Sequence, residues 1–152
     1  MKSSLTRRQL RSWVRLVGGI TGLLNAVDRQ LRTDSGISHD DYLILSWLSR
    51  TPGKTKSMSD LAEAAGHSPS RLSHAVTRME ERGWVVRARG EPDRRVTLAR
   101  LTEEGDSFVR EVSIGHLALI RAMVFETLGD DEAGRVAEGL DRVGRSDPRG
   151  GA

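Results

Sequence analysis

Cysteine is absent from this chain of 152 residues. Disulfides, thiolate zinc sites and cysteine nucleophiles are thereby excluded. Histidine is scarce: His39, His67, His74 and His116 are the four, and no two are three or four residues apart. A helical metal-binding pair is therefore missing, and neither metal nor cofactor is expected. No apolar run is long enough to span a membrane, and the start lacks a signal-peptide pattern. No membrane contact is expected. None of the patterns G-x-S-x-G, H-E-x-x-H or G-x-x-x-x-G-K occurs. No catalytic residues are assigned and no enzyme is expected; a deep pocket lined by perturbed acids would revive that reading.

What is present is charge, and it is unevenly distributed. The net charge is only +3. Residues 1–32 carry seven Lys/Arg against one Asp, and residues 69–100 carry eight Arg against four acids. Residues 33–68 and 101–152 are acidic, with five acids against three bases and eleven against six. Basic side chains near phosphates release counterions and give affinity without sequence choice. The same blocks also fit ordinary solvated faces, and for residues 1–32 the two readings weigh equally.

The densest signals lie between Ser57 and Gly105. Ser57-Met58-Ser59-Asp60 suits a helix N-terminus, because a hydroxyl and a carboxylate there meet free backbone N–H groups. Gly66 stops that helix. Ser68-Pro69 starts the next, with serine as N-cap and proline at the first helical position, and the helix runs to about Arg82. Period 3.6 places Leu72, Ala75, Val76 and Met79 on its buried face. Ser70, His74, Thr77 and Glu81 fall opposite, flanked by Arg71, Ser73 and Arg78. Such a helix fits the DNA major groove, yet the pattern alone also describes a common amphipathic surface helix.

Two strand candidates follow, Trp84–Arg89 and Val96–Leu101, joined by Gly90-Glu91-Pro92-Asp93-Arg94-Arg95. Arginines at a hairpin tip suit the minor groove, whose negative potential attracts guanidinium groups. Asp93 is placed to hold one of them by a bidentate pair. Thr102-Glu103-Glu104-Gly105 then reads as another helix start. Helix, turn, helix and hairpin in this order predict a winged helix-turn-helix, mainly α with a two-stranded β wing. Its expected extent is 38–105.

In these residues the chain resembles the MarR (multiple antibiotic resistance regulator) family of bacterial transcription factors. The resemblance is carried by Met58-Ser59-Asp60-Leu61-Ala62, by the run from Ser68 to Gly83, by Asp93-Arg94-Arg95 and by Leu101-Thr102-Glu103-Glu104-Gly105. It extends more loosely through helices at both ends. It implies a cytoplasmic homodimer that binds a palindromic double-stranded DNA operator, as a repressor released by a small aromatic or phenolic effector. Carried over, the DNA-contacting positions are Ser68, Ser70, Arg71, Ser73, His74, Thr77 and Arg78 on the second helix, and Arg94 and Arg95 on the wing. Without cysteine, the thiol-based peroxide sensing of one branch of the family is excluded. Trp13, His39 and Tyr42 are candidates for an effector pocket, though each singly also fits a core or rim role. The alternative is a winged-helix module that binds another protein and has no specific DNA site.

The flanks read as dimer parts of one 1–145 chain, the alternative being that they cover their own domain's core. From Leu10 to Leu31 apolar residues recur at helical spacing, and Arg32–Gly36 reads as a loop. Thr51–Lys56 reads as an exposed linker. After Gly105 a long helix is expected, broken at Gly129, with a final helix holding Val136, Leu140 and Val143. Segments 1–32 and 106–145 are the expected dimerisation helices, and 146–152 a flexible tail.

Overall fold

The computed structural model describes residues 4–91 and 93–145. The expected tail at 146–152, and Pro92 of the hairpin, lie outside the described residues. The chain forms two compact units, one up to Ile114 and one from Gly115.

In the first unit, α1 spans Arg7–Ser35. Thr6 and Gln9 start it with a reciprocal capping box: Thr6 Oγ1 accepts the Gln9 N–H at 3.2 Å and Gln9 Oε1 accepts the Thr6 N–H at 2.8 Å. The helix outruns its expected end and takes in residues 32–35. Two side-chain bonds one turn apart hold that last stretch, Arg32 Nε to Asp28 at 2.7 Å and Gln30 to Asp34 at 2.9 Å. Only Gly36, at φ +67°, ends it. The helix α2 (His39–Arg50) follows, capped by Ser38. Asp28 ties the two together by accepting the His39 backbone N–H at 2.9 Å.

The expected linker is not wholly a linker. Thr55–Ser57 forms a strand, β1. Helices α3 (Met58–Ala65) and α4 (Pro69–Glu81) then form the helix-turn-helix. Ser57 and Ser68 are their N-caps, and Gly66 at φ +60° closes α3. Strands β2 (Val85–Arg89) and β3 (Thr97–Leu101) make the hairpin. The antiparallel sheet has three strands in the order β1-β3-β2, with Lys56 opposite Ala99 and Arg87 opposite Ala99 on the other side.

The core of this unit joins all its helices to the sheet. Leu31, Ile44, Leu45, Leu48, Leu61, Leu72, Val76, Met79 and Val85 are fully buried. Full burial of one such side chain is worth about 1.5–3 kcal/mol. Trp84 stacks on Phe108 of the next helix, with ring centroids 4.0 Å apart.

Helix α5 (Glu103–Ile120) carries the chain into the second unit. There a π-helical turn at Arg121–Phe125 leads to the short α6 (Glu126–Leu128). Gly129, at φ +74°, breaks the helix as its sequence position predicts, and α7 (Asp130–Arg145) closes the unit. Among the described residues no single helix is long and apolar enough to cross a membrane.

Candidate nucleic-acid interface

Helix α4 is oriented by its apolar stripe. Leu72, Ala75, Val76 and Met79 are buried, which turns Ser70, Ser73, His74, Thr77 and Arg78 outward, where all five are exposed. Ser68 is spent on the cap: its Oγ accepts the Arg71 N–H at 3.3 Å and lies 3.2 Å from Ser70 Oγ. At the hairpin tip Arg94 and Arg95 are exposed, and among the described residues neither guanidinium is in an ion pair. A helix with a polar outer face and an arginine-tipped hairpin thus belong to one compact unit.

That arrangement is shared with solved structures. Sco3205, a MarR family transcriptional regulator from Streptomyces coelicolor crystallised in complex with DNA, superposes with a TM-score of 0.91. It is 34% identical, with 98% of this chain and 95% of that chain covered. The model of the MarR family matches residues 35–96. The chain belongs to the MarR family.

Two curated relatives are similar to it as well. The uncharacterised HTH-type transcriptional regulator YfiV of Bacillus subtilis is 37% identical over 93 residues, 60% of this chain and 57% of YfiV. The transcriptional repressor MprA of Escherichia coli is 32% identical over 77 residues, 51% of this chain and 44% of MprA. The chain thus spans about half the length of the curated relatives it matches.

Within this MarR lobe the expected contact residues differ in how they are engaged. Arg71 pairs with Asp40, and Arg78 Nη2 lies 2.8 Å from Asp41 Oδ1. Both acids sit in the first turn of α2, where the helix dipole favours them. The two arginines therefore bridge α4 to α2 and line a groove of about 340 Å³ with His67 and His74. His67 Nε2 is 3.6 Å from Asp40, and its side chain is only 6% exposed. Sequence spacing placed Arg71 and Arg78 on the outer flank of α4 but carried no sign of the acids across from them.

Asp93, expected to structure the wing, bonds the backbone there rather than an arginine side chain. Its Oδ1 accepts the backbone N–H of Arg95 at 2.9 Å, and its carbonyl accepts the Val96 N–H at 3.2 Å. Among the described residues it makes no ion pair with either arginine. An aspartate can satisfy the N–H two residues on more locally than a mobile guanidinium, so it shapes the turn. Arg89 adds to this by donating to the Arg94 carbonyl at 3.1 Å.

The three effector-pocket candidates are not brought together within one chain. Trp13 is 56% exposed and lines an open groove on α1 with Arg8, Gln9, Ser12 and Leu16. His39 sits beside Asp28, fifteen residues further along α1, or about 22 Å at 1.5 Å per residue. Tyr42 is buried, with its hydroxyl 3.1 Å from Ser113 Oγ.

One residue behind the candidate contact face had no sequence signal beyond being an arginine in a strand. Arg87 crosses from β2 to α4, pairs with Glu80 and reaches Ser73 and Thr77. Among the described residues no group of three or more His, Asp or Glu could hold a metal ion.

Proposed function

We propose that this protein is a transcriptional regulator that binds a palindromic operator as a homodimer and acts as a repressor. The observation that carries the reading is the pairing, on one lobe, of an outward polar face on α4 with Arg94 and Arg95, which make no ion pair among the described residues. A helix of this kind enters the major groove, and hairpin arginines suit the adjacent minor groove. Similarity over nearly the whole chain to a regulator crystallised with DNA supports it. Similarity to a repressor supports the direction of control.

The dimer part of the proposal rests on uncovered apolar surface. Leu10, Trp13, Val17, Ile20 and Leu24 alternate at spacings of three and four along α1 and are all exposed. In the second unit Val136, Leu140 and Val143 do the same on α7. A second copy that covers such stripes would supply the second reading helix, which a palindrome with half-sites one turn of DNA apart needs about 34 Å from the first.

The effector part rests on family membership. A planar, partly apolar anion or phenol would lower operator affinity only by binding more tightly to a dimer with a different head spacing. The test of the whole reading is genome-wide recovery of bound DNA from the native host, followed by gel shifts on operator-length duplexes. A shared palindrome, bound at physiological salt and weakened by members of a phenol and aromatic-acid panel, is the expected result. Retention of a protein partner on the lobe with no selective DNA binding would favour the interaction-module reading instead.

A further inference from the structure

Arg87 stands in the middle of β2 with a side chain only 27% exposed. Its backbone N–H donates to Glu80 Oε1 at 3.0 Å, and its Nη1 pairs with Glu80 Oε2. Both oxygens of one carboxylate thus hold it against α4. Its Nη2 then faces three oxygens of that helix: the Ser73 carbonyl at 2.8 Å, Ser73 Oγ at 3.3 Å and Thr77 Oγ1 at 3.2 Å.

A guanidinium only donates, whereas a hydroxyl has one hydrogen to give and two lone pairs to accept with. Both hydroxyls therefore meet Arg87 as acceptors. Thr77 also donates its single hydrogen to the Ser73 carbonyl at 3.0 Å. Its outward face keeps one lone pair and a methyl group, and no donor. Ser73 Oγ accepts from Arg87 and makes no bond back to the carbonyl of residue 69, one of the two usual arrangements of a helical serine. Its hydrogen stays available outward.

We propose that Arg87 is a positioning residue that sets the hydrogen-bond polarity of the reading helix, with Ser73 as donor and Thr77 as acceptor or methyl contact. This rests on the assignment of α4 to the major groove. There guanine O6 and N7, adenine N7 and thymine O4 accept, the amino groups of adenine and cytosine donate, and thymine carries a methyl. Ser73 then selects an acceptor edge, and Thr77 an amino edge or a thymine methyl. Arg87 itself, with both terminal nitrogens engaged on protein, makes no phosphate contact.

The experiment measures full-length protein on randomised duplexes at two salt concentrations, with a thermal melt for each variant. Arg87→Met keeps the apolar stem and removes the donors; Arg87→Lys restores a single charged donor. Arg87→Met is expected to lose about tenfold in base discrimination at the half-site position that Ser73→Ala also affects, with Arg87→Lys recovering part of it. Its salt slope should match the parent. Unchanged base preference in a folded Arg87→Met overturns the proposal, as does a slope shallower by about 0.9, the mark of one lost phosphate contact. Thr77→Val serves should Arg87→Met fail to fold. It keeps the methyl and leaves Arg87 in place, so its discrimination at a guanine, which offers only acceptors, should persist; loss there overturns the proposal. Parent protein without any sequence preference would instead defeat the operator reading itself, and the inference with it.

Discussion

Single arginines carry different burdens in this lobe, and their partners tell them apart. Arg95 is exposed and outside any described ion pair, so DNA would gain its charge without breaking a contact. Arg95→Ala is expected to weaken operator binding strongly and to make its salt dependence shallower by about 0.9. Preference among base changes in the half-sites should persist, because the minor groove is read as shape and potential rather than as a base code. Filter binding on single-base operator variants at several salt concentrations decides this, and parent-like affinity would count against the wing assignment. Arg78 is the opposite case. Its guanidinium is already matched by Asp41 at 2.8 Å, which offsets its charge toward phosphate. Asp41→Asn should release it, raising affinity for any duplex and steepening the salt slope by up to about 0.9. A variant with unchanged slope would mean that Arg78 faces no phosphate even when released.

At the scale of elements, a glycine fixes α5 against the residue before β2, and an aspartate fixes it against α2. A Cβ added to Gly105 would lie 2.2 Å from the Trp84 carbonyl oxygen, a backbone atom that cannot swing away. Thr102 fixes the same approach: its Oγ1 donates to the Gly83 carbonyl at 2.7 Å and accepts the Gly105 N–H at 3.0 Å. Gly105→Ala should therefore cost about 1–3 kcal/mol or more, the usual range for overpacking, and show as a lowered midpoint in a urea melt. Asp106 is buried at 6% exposure and takes Lys54 Nζ at 2.8 Å, Ser49 Oγ at 2.8 Å and Arg110. Lys54, then Ser49, hold its carboxyl below the ordinary aspartate value of 3.8. Asp28 is lowered likewise, first by the His39 N–H and then by Arg32. A depressed carboxylate stabilises the fold fully above its unfolded pKa and loses that contribution as pH falls through the folded one. Urea midpoints measured from neutral pH into strong acid should therefore fall below about pH 4, and Asp106→Asn should start lower and fall less. Equal acid sensitivity in that variant would remove Asp106 from the account.

The same elements divide what the sequence made legible from what it did not. Caps at Ser57 and Ser68, stops at Gly66 and Gly83 and the apolar stripe of α4 are local signals, written within a few residues, and they place the helix-turn-helix to within a residue or two. Strand β1 was hidden because Thr55-Lys56-Ser57 has no alternation of its own and becomes a strand only by pairing with β3. The extra turn of α1 was hidden because polar residues 32–35 look like a loop until their i,i+4 bonds are counted. Within the interface, which face of α4 looks outward was legible from period alone. The partners Asp40, Asp41 and Arg87 were not, since each lies on another element and a distant partner leaves no mark on local spacing.

For the whole molecule, the proposed dimer can be tested without damaging the winged-helix lobe. Removing residues 1–32 would not do so, because it deletes Val27 and Leu31, which are buried in the core of the first unit. A monomer or aggregate from that truncation would then report lost folding as readily as lost association. Further toward its start α1 carries the same stripe uncovered, with Trp13 at 56% exposure. Replacing Leu10, Trp13, Val17 and Ile20 by glutamine keeps helix propensity and leaves the core untouched. The quadruple variant should sediment as a folded monomer where the parent sediments as a dimer. Its thermal midpoint for the first unit should change little, measured at a concentration where the parent too is dissociated. On DNA it should lose the second reading head. Binding to a full palindrome would then drop toward the affinity for a single half-site, while binding to an isolated half-site stays as it was. The alternative is that these side chains pack on their own chain in solution. In that case the variant remains whatever the parent was by sedimentation, the ratio of full-site to half-site affinity does not move, and the dimer must be sought on another surface.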